Sequence, residues 1–428
     1  MKLTTTALAL ALAGTAAPVA AQYERPPPPP PPQIPQNIPS GDSRAQAQAQ
    51  PVDDGKVHPS SKAFKAIVEL QKAVAANDTA NIPAKIVAAQ AAASTKDDRY
   101  IIAQIQLKAA YAANDDAALA AAVDAIANSG FIDSPAKISE LYVALGSKLY
   151  NGKKFDAAAA AFEHATALNP SDTQALINLA ESRFSQGRKA DAVGLFQKAI
   201  QAKSSAGQKP EEALYKRAVG LAYELQMPVA MEIAKQWVAA YPSQNSWRNT
   251  LALYQNFMKP DVEGSLDLLR LMRATGSLTN PSDFNLYATA AAEQMNYNEA
   301  QAVIDEGLAN KQIDPTSVLF REIIAGLKVK AKATEADLVQ ATKDAKDGKG
   351  FLRIGDRYFA MGNYAKAAEL YRMAAGKAGA DPSVVNMHLG MALARAGDKA
   401  GATTALNAVT GNLAGIAQYW LIYLQQRG

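Results

Sequence analysis

Residues 152–172 read GKKFDAAAAAFEHATALNPSD, and the five alanines Ala157–Ala161 between Phe155 and Phe162 decide the fold. Alanine is the strongest intrinsic helix former. It is also small enough for two backbones to come close, so an alanine run framed by phenylalanines reads as a helix whose bulk fills the gap beside a tight crossing. Pro170 halts that helix, and Ser171 and Gln174 have the spacing of a capping box that starts the next one. Thr334 and Asp337 repeat the device further along.

Outward from this stretch the chain from about Ser60 onward is helix-forming, broken only by short Gly, Asn, Asp or Pro interruptions, and no alternating run argues for a strand. Turn landmarks fall at Asn77, Asn114, Gly152, Gly187, Met227, Lys259, Asn296, near Lys332, at Gly362 and at Gly397. The span 397 − 77 = 320 over nine intervals gives a mean near 36, the period of a helical-hairpin repeat.

Four copies carry a common signature. Residues 140–170 supply Tyr142, Leu145, Gly146, Leu149, Phe155, Ala158, Phe162, Ala165 and Pro170; residues 173–200 supply Leu176, Leu179, Ala180, Gly187, Ala192, Phe196 and Ala199. Residues 351–376 and 387–409 repeat it through Gly355, Tyr358, Tyr364, Tyr371, Gly390, Leu393 and Leu406, and Tyr297 and Ala300 belong to a further copy. In these positions the chain resembles the tetratricopeptide repeat. The resemblance implies an all-α fold, a right-handed α–α superhelical solenoid of about ten hairpins over residues 60–428. The clearest repeats are expected at 139–172, 173–203, 281–314, 348–382 and 383–410, with a capping helix at 412–426. Residues 61–93, 98–128, 211–241, 245–275 and 317–347 fit hairpins by periodicity alone, and Pro260 and Pro281 suggest irregular junctions where the array bends or divides.

The first 59 residues differ from the rest. Residues 1–21 hold one lysine, the apolar run ALALALA and a small-residue end, the layout of a secretory leader cleaved after Ala21. Residues 22–59 are expected to be a disordered linker whose seven prolines, Pro26–Pro32, make a polyproline II spacer of about 22 Å or a ligand for a proline-binding domain. The chain has no cysteine, which removes disulfides, thiolate metal sites and lipid attachment at cysteine. Beyond the leader no segment is long and apolar enough for a membrane span, so export to the periplasm of a Gram-negative cell, or beyond it, is the expectation. A formal charge of +4 over 428 residues gives no reason to expect a nucleic-acid partner.

Chemistry-bearing motifs are scarce. His58, His164 and His388 are scattered, no P-loop or nucleophile elbow occurs, and the paired carboxylates sit where helix caps are expected. No catalytic, cofactor-binding or metal residues are therefore assigned.

The family resemblance instead implies a concave surface lined by the first helix of each hairpin. Asn178, Arg353 and His388 fall at equivalent places there, with Tyr150, Phe184 and Phe359 beside them. An Asn amide can pair with an extended peptide backbone, and Arg353 with a carboxylate. Val143 and Ser147 stand where chaperone-binding members carry the Lys and Asn of a carboxylate clamp, so recognition of a chain-terminal carboxylate is not expected. Residues 321–377 hold 12 Lys or Arg and 7 Asp or Glu, a net of +5, suited to an acidic partner, an anionic glycan or solvation alone. In the C-terminal helix Ile416, Tyr419, Trp420, Leu421, Ile422, Tyr423 and Leu424 place apolar groups all round. Trp420 and Tyr423 are candidates for self-association, and simple capping of the array is the other reading. These features favour a non-enzymatic exported scaffold binding a protein or extended peptide; the alternative is a factor binding envelope polysaccharide or peptidoglycan.

Overall fold

The computed structural model describes residues 57–330 and 332–427. Among them every regular element is helical and no strand occurs. The leader and Pro26–Pro32 lie outside the described residues. The chain divides into two compact units between Leu214 and Tyr215.

The first unit contains α1 (Ser61–Ala75), α2 (Ile82–Ala92), α3 (Lys96–Ala113), α4 (Asp116–Ala127), α5 (Pro135–Asn151), α6 (Phe155–Leu168), α7 (Thr173–Ser185) and α8 (Lys189–Ser205). The division falls within α9 (Glu212–Glu224). The second unit continues with α10 (Val229–Ala240), α11 (Gln244–Met258), α12 (Val262–Ala274), α13 (Pro281–Glu293), α14 (Tyr297–Ala309), α15 (Val318–Val329) and α16 (Glu335–Asp344). It ends with α17 (Gly348–Ala360), α18 (Tyr364–Ala375), α19 (Pro382–Ala396), α20 (Lys399–Asn407) and α21 (Ala414–Gln426), the last preceded by one 3-10 turn. The division lies earlier than the prolines suggested. Pro281 opens α13 and Pro260 precedes the Asp261 cap of α12, places where a missing N–H costs no helix bond.

Helices pair into antiparallel hairpins through turns that contain a left-handed residue. Asn77, Asn114, Lys153, Gly187, Gln226, Lys259, Met295, Gly362 and Gly397 all have positive φ, each at or next to a sequence landmark. Inside the hairpins one contact recurs at constant spacing. A Cβ added at Gly146 would lie 2.7 Å from the Phe162 ring, one at Gly355 2.5 Å from Tyr371, and one at Gly390 2.6 Å from Leu406. The separations 162 − 146, 371 − 355 and 406 − 390 are all 16, so the same crossing is rebuilt in three hairpins. Only glycine lets the first helix seat the large buried side chain of the second. Ala158, fully buried, lies in the same layer, whereas Ala160 faces out.

The caps follow the local sequence with one correction. Thr334 and Asp337 form the expected capping box. Ser171 and Gln174 do not. Asp172 caps α7, its carboxylate accepting from the Ala175 N–H at 3.0 Å, while Ser171 Oγ donates to Asn169 Oδ1. A charged acceptor at the positive end of the helix macrodipole is the stronger cap, so the helix begins one residue later.

The second unit closes on itself. α21 packs against α10 and α12 at the start of the unit as well as against α19 and α20. Gln426 of α21 accepts from Trp247 Nε1 at 3.0 Å and donates to the Val238 carbonyl at 2.8 Å, and Tyr419 meets Tyr254 edge to face at 5.4 Å. This closure explains the apolar girth of α21. Trp420 and Tyr423 are both buried inside the chain, so neither offers the exposed interface the sequence suggested.

Candidate functional site

In the first unit, the first helices of successive hairpins bring α5 beside α7. Tyr150 near the end of α5 reaches Ser185 of α7, hydroxyl to hydroxyl at 3.0 Å, and both are partly exposed. Asn178, one turn into α7, is half-buried and accepts from Gln174 Nε2 at 2.9 Å through Oδ1. That bond fixes the amide with its Nδ2 hydrogens pointing away from Gln174. Phe184 is half-buried, with Lys189 Nζ 5.8 Å from its ring centre. Asn178, Tyr150 and Phe184 thus belong to one helix pair.

Arg353, Phe359 and His388 belong to the second unit, where closure changes their surroundings. Arg353 is exposed on α17. His388 on α19 is buried, its Nδ1 2.7 Å from Asp356 Oδ1 of α17 and its Nε2 3.3 Å from Asp267 Oδ1 of α12. Arg270 of α12 bridges onward. It donates through Nε and Nη2 to the two oxygens of Glu299 on α14, at 2.9 and 2.8 Å, and through Nη1 to Asp267 at 2.9 Å. Its guanidinium lies 5.5 Å from the centre of the Phe359 ring. Glu299 also accepts from Tyr287 and Asn296, and Asp356 accepts from Tyr371.

The charges set the protonation states. Burial pulls the His388 imidazole down, but the Asp356 and Asp267 carboxylates outweigh it and hold it up at about 10, so it is a cation at neutral pH. Burial raises Asp356, and the His388 and Arg270 cations with the Tyr371 hydroxyl reverse this and hold it below the usual carboxylate range. Arg270, desolvated but facing Glu299, is held above its ordinary value. Three carboxylates therefore face two cations, and Asp267 Oδ2 is buried without a hydrogen-bond partner. The cluster ties α12 and α14 to α17 and α19. Among the described residues no group of three or more His, Asp or Glu side chains is arranged to hold a metal ion, and no helix is long and apolar enough to cross a membrane.

Sequence reading placed His388 and Phe359 on the inner face but missed their partners Asp267, Arg270 and Glu299. A signal existed in the run LDLLRLM at 266–272, where Asp267 and Arg270 interrupt an otherwise apolar stretch at i, i+3 spacing and must pair if that helix is buried all round.

The family model described as Tetratricopeptide repeat matches residues 143–207 and 352–419. Among solved structures the chain is similar to YrrB, a TPR protein with an unusual peptide-binding site, at 15% identity over 44% of this chain and 91% of that one, with TM-score 0.28. It is similar to Pseudomonas aeruginosa pilF at 15% identity over 62% and 97%, TM-score 0.25. A chain of the Naa15/Naa10 complex bound to HypK-THB is similar at 13% identity over 84% and 65%, TM-score 0.32. No curated protein matches by sequence. The glycine-to-aromatic crossings at Gly146 and Gly355 lie inside the two stretches of the chain that match the tetratricopeptide repeat.

Proposed function

We propose that this chain is a non-enzymatic, exported scaffold that holds a protein or an extended peptide on the inner face of α5 and α7. Tetratricopeptide hairpins bury their core between neighbours and leave the inner face of the first helices for partners. The observation that carries the reading is the contrast between the units. At the equivalent place on α19, His388 is buried against Asp267 and Asp356, and Arg353 on α17 stands exposed, whereas Asn178 on α7 keeps a positioned amide donor at a half-buried site. Beside it, Tyr150 and Phe184 supply flat apolar area of the kind that grips side chains at low entropic cost. The leader-like residues 1–21 support export.

Nothing favours the glycan reading. The basic stretch that suggested it is partly engaged within the chain: Lys332 donates to the Leu327 carbonyl, Lys330 lies over Tyr297, and Lys366 pairs with Glu369.

A crosslinking pulldown from the exported fraction tests the proposal, with wild type compared against Asn178→Ala and, separately, Arg353→Ala. Loss of partners from the Asn178 variant alone supports the inner face of the first unit. Loss from the Arg353 variant alone, or from neither, overturns it.

A further inference from the structure

With no cysteine in the chain, methionine carries all its sulfur, and four of the ten methionines occupy one kind of place. Met227, Met295 and Met361 sit in the turn between the first and second helix of their hairpins, α9/α10, α13/α14 and α17/α18, and Met258 ends α11 at the turn into α12. These hairpins are consecutive in packing as well. α10 meets α11, α12 meets α13, and α14 packs directly on α17, past the intervening α15 and α16.

Three of them are open to solvent. Met295 is 61% exposed, Met258 51% and Met361 44%, while Met272, Met387 and Met391 are buried, the last two flanking His388 on α19. Met295 also holds the left-handed position of its turn, with φ of 57°. Its neighbour Asn296 is buried and donates to Glu299, so the backbone there is pinned while the thioether points outward.

We propose that Met258, Met295 and Met361, together with the exposed Met373 of α18, are the oxidant-reactive sites among the described residues, taking one oxygen each from a peroxide to form methionine sulfoxide without loss of the fold. In each step a sulfur lone pair attacks one peroxide oxygen, an S–O bond forms and the O–O bond breaks. The departing hydroxide takes up the proton of the transferred hydroxyl and leaves as water. The sulfur is oxidised by two electrons and the peroxide reduced by two. Sulfoxide is polar and chiral, and in a core it disrupts packing. At an exposed position it displaces nothing, whereas Met387 and Met391 have no room for the added oxygen. The inference is independent of the partner-binding reading, since it rests on residues of the second unit only and needs no partner.

The test treats the full chain with hydrogen peroxide and follows it by intact mass, by peptide mapping and by thermal unfolding on the same samples. Met258, Met295, Met361 and Met373 are expected to gain oxygen in a fast phase during which the melting temperature is unchanged. Met387 and Met391 are expected to react only in a later phase, together with loss of cooperative unfolding. A variant with the three turn methionines changed to leucine, folded as judged by its melting curve, is expected to lose three oxygens from the fast phase. Oxidation of Met387 and Met391 at the same rate as the turn residues, unfolding with the first oxygens, or an unchanged fast phase in the triple variant would each overturn the proposal.

Discussion

Arg270 and Glu299 form a two-point ion pair inside the second unit, Nε to Oε1 at 2.9 Å and Nη2 to Oε2 at 2.8 Å, with both side chains almost wholly shielded from water. Twenty-nine positions apart in sequence, they fasten α12 to α14, and through Asp267 and His388 the same guanidinium reaches α19. Desolvating such a pair costs about as much as its attraction returns, so its main effect is on arrangement, whereas removing one partner strands the other.

Replacing Arg270 with leucine is therefore expected to destabilise the second unit by about 3–5 kcal/mol, since Glu299 is left buried without its cation and Asp267 keeps only His388. The double change Arg270→Leu/Glu299→Leu is expected to cost less than the sum of the two single changes. Chemical denaturation of the four proteins completes the cycle, and strict additivity would show that the pair is not coupled.

The same cluster fixes a pH dependence. His388 is raised from 6.5 to about 10, so its contribution to stability is fully present below 6.5 and is lost as pH rises through about 10. Asp356 is depressed below 3.8, so its contribution is present above that value and is lost as pH falls towards its folded-state pKa. Denaturation midpoints measured across pH should show a plateau between about pH 4 and 6.5, with an acid shoulder below it and an alkaline shoulder that begins above 6.5 and runs to about 10. His388→Gln should lower the plateau and remove the alkaline shoulder; a shoulder that survives the change belongs to other groups.

Glycines of this chain divide by what surrounds them. Gly355→Ala forces a methyl into the Tyr371 ring and is expected to cost about 1–3 kcal/mol. Gly326→Ala, on α15 with no atom within 4 Å of the new methyl, is expected to stabilise by up to about 1 kcal/mol through helix propensity and unfolded-state entropy. Thermal unfolding of the two variants reads the signs directly, and equal signs would contradict the hairpin crossing.

In the stretch that opens the repeat, Ala158→Leu is expected to cost about 1–3 kcal/mol by overpacking, against little change for Ala160→Leu on the exposed side. Equal melting temperatures would show that the faces of α6 are misassigned.

Helix content, hairpin period and crossing residues were legible because each depends on neighbours within one repeat. Ala158, Gly146 and Phe162 stand at offsets any helical hairpin must respect, and at five of the nine turns, Asn77, Asn114, Gly187, Gly362 and Gly397, the left-handed residue is itself glycine or asparagine. The cap at Asp172 was misread by one residue because Ser171 and Asp172 both accept hydrogen bonds, and only geometry separates them. Closure was not legible. The contacts of Gln426 with Trp247 and Val238, and of His388 with Asp267, join segments more than a hundred residues apart, and no period encodes them. The same long-range closure decides that Trp420 and Tyr423 are core rather than surface, and that His388 lies within an ion cluster.

The most direct test of where a partner sits is hydrogen exchange on the full chain, alone and with the partner recovered by crosslinking. Slowed exchange confined to α5 and α7, around Tyr150, Asn178 and Phe184, is the expected result. Slowed exchange in α17 and α19 with none in α5 and α7 would contradict the account and show that the closed unit opens to receive its ligand.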